Sequence, residues 1–175
     1  MWINPKNYID YENLPSILKD IQDIFLNTPL EELREIGEVW PGVDAFSIFL
    51  IHNSIKKTSS QVFQNSVEKI SKLAGLHQAF INVIGPNISL PEHKDDKDLG
   101  DIKAPIHCYE IVLAIKIPST DPTIVGFKVG DEIRSYDSGA IVGFNGQVLH
   151  SGWNNSNDYR VTVCIDLDKS SNFWI

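Results

Sequence analysis

The sequence predicts an α+β domain whose strands form a double-stranded β-helix (jelly roll) core, with N-terminal helices packed on one of its sheets. Two observations predict it. Apolar residues recur at a spacing of three and four through the early part of the chain, then at a spacing of two from Gln78 onward, which are the periods of amphipathic helix and half-buried strand. Turn-forming clusters punctuate the later part at short intervals, the pattern of many short antiparallel strands rather than of strands alternating with helices.

The first helix is carried by Leu14, Ile17, Leu18, Ile21, Ile24 and Phe25, which fall on one face, and Pro15 suits its first turn. Thr28-Pro29-Leu30-Glu31 offers a capping residue, a first-turn proline and a glutamate three positions on, so a second short helix is predicted there. A third is predicted from about Ser60 to Ala74, with Val62, Phe63, Val67, Ile70 and Leu73 inward and Gly75 as its stop. Strands are predicted at Ala79 to Ile84, Ile106 to Ile117, Thr123 to Val129, Ala140 to Phe144, Gln147 to His150 and Tyr159 to Asp168. Gly85-Pro86-Asn87, Ser119 to Pro122, Gly130-Asp131, Asp137-Ser138-Gly139 and Asn145-Gly146 separate them as turns. Residues 1–175 thus read as one domain, with 1–77 mainly helical support and 78–168 the jelly-roll core.

A chain of 175 residues buries roughly 70% of its extended surface in one core. The 42% apolar and 22% charged content is that of a globular protein. Fifteen basic against twenty-three acidic residues give a net charge of −8, which repels a phosphate backbone, so nucleic acid is excluded as a partner. No stretch of about 20 apolar residues occurs, which excludes a membrane helix, and Met1 to Tyr11 lacks a signal-peptide pattern; a cytoplasmic location is expected. Cys108 and Cys164 both lie in apolar alternating runs and are expected as core thiols.

His93-Lys94-Asp95 puts an imidazole and a carboxylate two residues apart, which in extended backbone points both to one face. His150 follows fifty-five residues after Asp95, beyond the Asn145-Gly146 turn. Two histidines and a carboxylate on one octahedral face leave three positions free, as iron(II) needs in order to bind a bidentate oxo-acid and then dioxygen; a structural zinc site would be closed by four ligands. Arg160 lies ten residues after His150 on the next strand, on the opposite face from Tyr159 and Val161. Turned inward, its planar fork needs a carboxylate, supplied either by a ligand or by a core acid.

The stretch His150-Ser151-Gly152-Trp153-Asn154, then Arg160, then Val163-Cys164-Ile165-Asp166 resembles the aspartyl/asparaginyl β-hydroxylase family within the Fe(II)/2-oxoglutarate-dependent dioxygenase superfamily. Ile88 to His93 is similar to the segment leading to that family's first iron-binding histidine, and Gly126 to Asn145 to its hairpin region. The resemblance spans about Gln78 to Leu167 and implies iron at His93 and His150, with Arg160 holding the far carboxylate of 2-oxoglutarate. The family's founding members carry glycine two residues after the first histidine, whereas Asp95 stands here, so the full triad of the wider superfamily is expected. His107 and Trp153 are further candidate cosubstrate contacts, each with a structural alternative: a satisfied sheet histidine and a wedge beside the metal. The charged loop after Asp95, with Asp96, Asp98 and Asp101, departs from the family pattern and is read as solvated, with a position suited to a lid.

What the resemblance implies is a hydroxylase of an amino acid, as a small molecule or within a peptide. The residues alone leave two rivals: a non-catalytic β-sandwich binding protein, and a cupin-like metalloenzyme that makes no use of 2-oxoglutarate.

Overall fold

The structure is a computed structural model, and it describes residues 1–52, 55–56, 61–95, 98–99, 102–103 and 108–168. Strand β1 (Trp2–Ile3) precedes helices α1 (Leu14–Asn27) and α2 (Leu30–Glu35), strands β2 (Glu38–Val39), β3 (Ala45–His52) and β4 (Ile55–Lys56), and helix α3 (Gln64–Ile70). There follow β5 (Leu76–Ile84), β6 (Ile88–Ser89), β7 (Asp98–Leu99), β8 (Ile102–Lys103), β9 (Cys108–Lys116) and β10 (Val125–Val129). The chain then forms β11 (Glu132–Arg134), β12 (Ile141–Asn145), β13 (His150–Asn154) and β14 (Arg160–Asp168).

An eight-stranded sheet runs β1-β12-β9-β14-β5-β3-β2, with β4 on β3, and a four-stranded sheet runs β11-β10-β13-β6. From β5 to β14 the chain passes repeatedly from one sheet to the other, and every pairing is antiparallel. This is the double-stranded β-helix expected from the sequence.

Strand alternation decides what lies on each side of the large sheet. On β14, Val161, Val163, Ile165 and Leu167 join Ile81, Val83, Ile111 and Leu113 from neighbouring strands. Leu14, Ile17, Leu18 and Ile21 of α1, with Val67 and Ile70 of α3, pack into the same core, so the helices cover the sheet's outer face. The intervening residues Arg160, Thr162, Cys164 and Asp166 point the other way, and Cys164 shares a second apolar cluster with Val112, Phe127, Val129 and Phe144 between the sheets. Both cysteines are buried thiols.

Four local expectations need correction. Ala45–His52 is a strand, although the early chain reads as helical: its run Ala-Phe-Ser-Ile-Phe-Leu-Ile is buried on both faces and therefore carries no two-residue period. Thr28 closes α1, donating its N–H to the Ile24 carbonyl at 2.9 Å, and makes no side-chain cap for α2. The third helix stops at Ile70, and Gly75, at φ 71°, turns the chain into β5. Gln147 to Leu149 is turn, not strand, because the Asn145 side chain and carbonyl accept from the N–H groups of Gln147 and Val148 at 3.1 and 3.0 Å.

Candidate metal centre

The segment after β6 is laid along β13 by main-chain hydrogen bonds. Leu90 N–H donates to Gly152 C=O at 2.8 Å, and His93 and His150 exchange N–H···O=C bonds at 2.9 Å each. Asp95 N–H then donates to the Gly146 carbonyl at 3.0 Å. Backbone pairing thus brings together three residues that the sequence separates by up to fifty-seven positions.

Their side chains converge. The His93 Nδ1 lies 2.8 Å from Pro91 C=O and the His150 Nδ1 lies 2.9 Å from Val148 C=O. A carbonyl only accepts, so both Nδ1 atoms carry the proton and both Nε2 atoms keep a free lone pair, the usual arrangement of metal-binding histidines. The two Nε2 atoms stand 3.8 and 3.2 Å from Asp95 Oδ1, and all three donor atoms lie within 4.8 Å of one another. Cis ligands about 2.1 Å from one ion are about 3 Å apart, so the set fits a single divalent cation with small adjustments.

The surroundings favour a buried, negatively charged pocket. His150 is buried, stacked on Phe127 at 5.8 Å and tilted against Phe144 at 4.8 Å. Burial opposes its protonation, but the hydrogen bond and charge of Asp95 outweigh that and raise its pKa. Gly146 leaves the space that Asp95 occupies: a Cβ there would stand 2.1 Å from Asp95 Oδ2 and 2.7 Å from Cys108 Sγ. Glu110 projects from β9 into the same space, where burial, then the charge of Asp95, push its carboxyl up to about 7.

Arg160 opens β14 on the inner face and is only 3% exposed. It donates to Tyr136 Oη at 2.9 Å and lies over the Phe127 ring at 5.7 Å, while Gly152 leaves room for it, since a Cβ there would meet Nη1 at 3.0 Å. Among the described residues no carboxylate stands within ion-pair distance of this guanidinium. A buried guanidinium so placed calls for an anionic ligand.

Trp153 is turned to the other face of β13 from His150. Its indole N–H donates to Pro122 C=O at 2.9 Å and its ring fills the space beside Gly126. His107, Asp96 and Asp101 lie outside the described residues, as does the body of the loop read as a lid; of Asp98 only its strand is described. Sequence reasoning missed Glu110 and Tyr136, and named Asp166 only as the end of the signature strand and Gly146 only as a turn residue. The period-two pattern of β9 holds a signal for Glu110, an acid on the same face as Cys108 and Val112, but Tyr136 stands in a connection where no pattern announces it.

The family model for aspartyl/asparaginyl beta-hydroxylase matches residues 48–170, well over half of the chain. The chain belongs to this family. Its membership makes it an oxygenase of the hydroxylase type. Solved structures with the same fold include an oxidoreductase of the 2OG-Fe(II) oxygenase family from Burkholderia pseudomallei, at 9% identity and TM-score 0.57 over 88% of this chain and 78% of that one. Another is the viral collagen prolyl hydroxylase of Paramecium Bursaria Chlorella virus-1, at 12% identity and TM-score 0.54 over 86% of this chain and 91% of that one. No curated protein matches the chain. No helix among the described residues is long and apolar enough to cross a membrane.

Proposed function

We propose that the chain is an iron(II)- and 2-oxoglutarate-dependent hydroxylase acting on an amino acid, free or within a peptide. The observation that carries this reading is Arg160, a buried guanidinium without a described carboxylate partner, which shares the Phe127 ring with the candidate ligand His150. Its planar fork suits the far carboxylate of an oxo-acid held at the metal.

When bound, iron with 2-oxoglutarate and dioxygen supplies the oxidising power to convert an unactivated C–H bond to C–OH, with succinate and carbon dioxide as co-products. The chain's part is to hold and shield. His93 Nε2, His150 Nε2 and an Asp95 oxygen would hold the metal, their orientation fixed by the carbonyls of Pro91 and Val148 and by the Gly146 turn. Arg160 would fix the 5-carboxylate of the cosubstrate, with Tyr136 steadying the guanidinium. Phe127 and Phe144 keep water from the His150 side. Asp95 in the ligand set argues against halogenation, because a halide would need its place.

Anaerobic addition of iron(II) and 2-oxoglutarate tests the reading. The expected result is a weak visible metal-to-ligand charge-transfer band that needs both additions. Metal binding without a response to 2-oxoglutarate would leave a cupin-like metalloenzyme, and no binding of either would leave a non-catalytic module.

A further inference from the structure

Beside the metal site the large sheet carries a second group of buried polar side chains that the proposed chemistry does not use. Asp166 on β14 is flanked in register by Gln78 on β5 and Glu110 on β9. All three are buried, at 3%, 5% and 7% exposure. Gln78 Nε2 donates to Asp166 Oδ2 at 2.5 Å. The other oxygens of the pair, Asp166 Oδ1 and Gln78 Oε1, are fully buried and have no hydrogen-bond partner among the described residues.

A buried acceptor without a partner is destabilising, and here two belong to one hydrogen-bonded pair. An amide oxygen has no proton to give and neither has an ionised carboxylate, so what the ionised pair lacks is a donor. The charge count says which kind. On the reading proposed above, the two positive charges of the metal and the two negative charges of the oxo-acid cancel. Among the described residues, Asp95, Glu110 and Asp166 then face one buried cation, Arg160. Uncompensated negative charge in a water-poor cavity is met by a cation or by a proton. Burial, then the charges of Glu110 and Asp95, raise the Asp166 carboxyl well above the ordinary range, as they must while no cation is present. Of common biological donors, a primary ammonium combines three N–H groups with a positive charge.

We propose that Asp166 and Gln78 form a substrate subsite that receives an ammonium group of an amino-acid substrate, orienting it beside the metal centre. This deepens the proposed function and rests on it for the charge count, whereas the two unpartnered oxygens are independent of it.

Calorimetric titration of the anaerobic protein loaded with iron(II) and 2-oxoglutarate tests the subsite, using L-lysine, L-norleucine and hexanoate as probes. The three share a linear six-carbon skeleton and carry two, one and no ammonium groups. The expected result is that removing one ammonium, from L-lysine or from L-norleucine, weakens binding at least tenfold. Asp166→Asn should bring the three probes within threefold of one another, with the charge-transfer band intact. Equal binding of the three probes, no binding of any, or a preference that survives Asp166→Asn overturns the proposal. The wild-type series decides even if the variant does not fold. A wild type that lacks the charge-transfer band overturns the oxygenase reading instead, and the ammonium preference is still read from the heats.

Discussion

Replacing Gly146 with alanine should remove the metal site and spare the fold. The added Cβ would stand 2.1 Å from Asp95 Oδ2 and 2.7 Å from Cys108 Sγ. Comfortable contact needs about 3.5 Å, so the carboxylate must retreat by more than about 1 Å, against a tolerance of about 0.2 Å for a ligand atom. Backbone strain is not the cause, because Gly146 is not among the residues with positive φ. A loss of at least the roughly 10–100-fold seen when supports of metal ligands are removed is expected in iron(II) affinity, with a melting temperature within a few degrees of wild type. Anaerobic iron(II) titration and scanning calorimetry on one sample measure both. Gly139→Ala is the control: Gly139 has φ 93°, and a Cβ added there would meet no atom within 4 Å, so the change should cost stability of about 1 kcal/mol and leave metal affinity alone. Wild-type iron affinity in Gly146→Ala would refute the role of Asp95 and leave a two-histidine centre.

Arg160→Met should weaken 2-oxoglutarate binding by about 2–5 kcal/mol, or roughly 30- to 4,000-fold, with little change in iron affinity; an unchanged cosubstrate requirement in turnover assays would make Arg160 structural. Tyr136→Phe removes one hydrogen bond to that guanidinium and should cost about 1 kcal/mol, several-fold in the same assay. His93→Ala and His150→Ala should each abolish turnover and metal binding, since two ligands hold a labile cation poorly, and full activity in either would remove the site. Metal-free protein should lose stability as pH rises from 4.5 to about 7, because in that window Glu110 keeps a proton in the native state that the unfolded chain has released. The native carboxyl is raised, so its contribution is present at low pH and lost on going up, by about 3 kcal/mol from this group, and the raised Asp166 carboxyl adds to the same slope; denaturant titrations across that range should show it, Glu110→Gln should reduce it, and a flat wild-type profile would be the contrary result.

The candidate ligand set was legible because its spacing is itself physical. His93 and Asp95 share a face through the two-residue repeat of extended chain, and Arg160 declares its side of β14 by alternating with Tyr159 and Val161. The jelly roll was legible from its β-rich composition and the turn clusters between strands, because β9 and β14 are buried on both faces and alternate only where polar residues such as Arg160, Thr162 and Asp166 interrupt the apolar ones. Ala45–His52 is also buried on both faces and has one polar residue, Ser47, among its first seven, so it shows no alternation, which is how β3 escaped. What could not be read was the company these residues keep across the sheet. The neighbours of Asp166 are fixed by register with β5 and β9, and Tyr136 reaches Arg160 from a connection twenty-four residues away.

The paired main-chain bonds between His93 and His150 have a further consequence for how the proposed centre would handle a metal ion. Because the two ligand-bearing residues are already opposite one another in a β-bridge, the spacing of their imidazoles is inherited from the peptide backbone and does not wait for an ion to impose it. Losing the cation therefore leaves a template and not a collapsed loop. Reloading would be a matter of supply, with Asp95 Oδ1 already 3.8 and 3.2 Å from the two Nε2 atoms, so a protein stripped by chelator should regain its full complement on simple addition of iron(II), without a refolding step between.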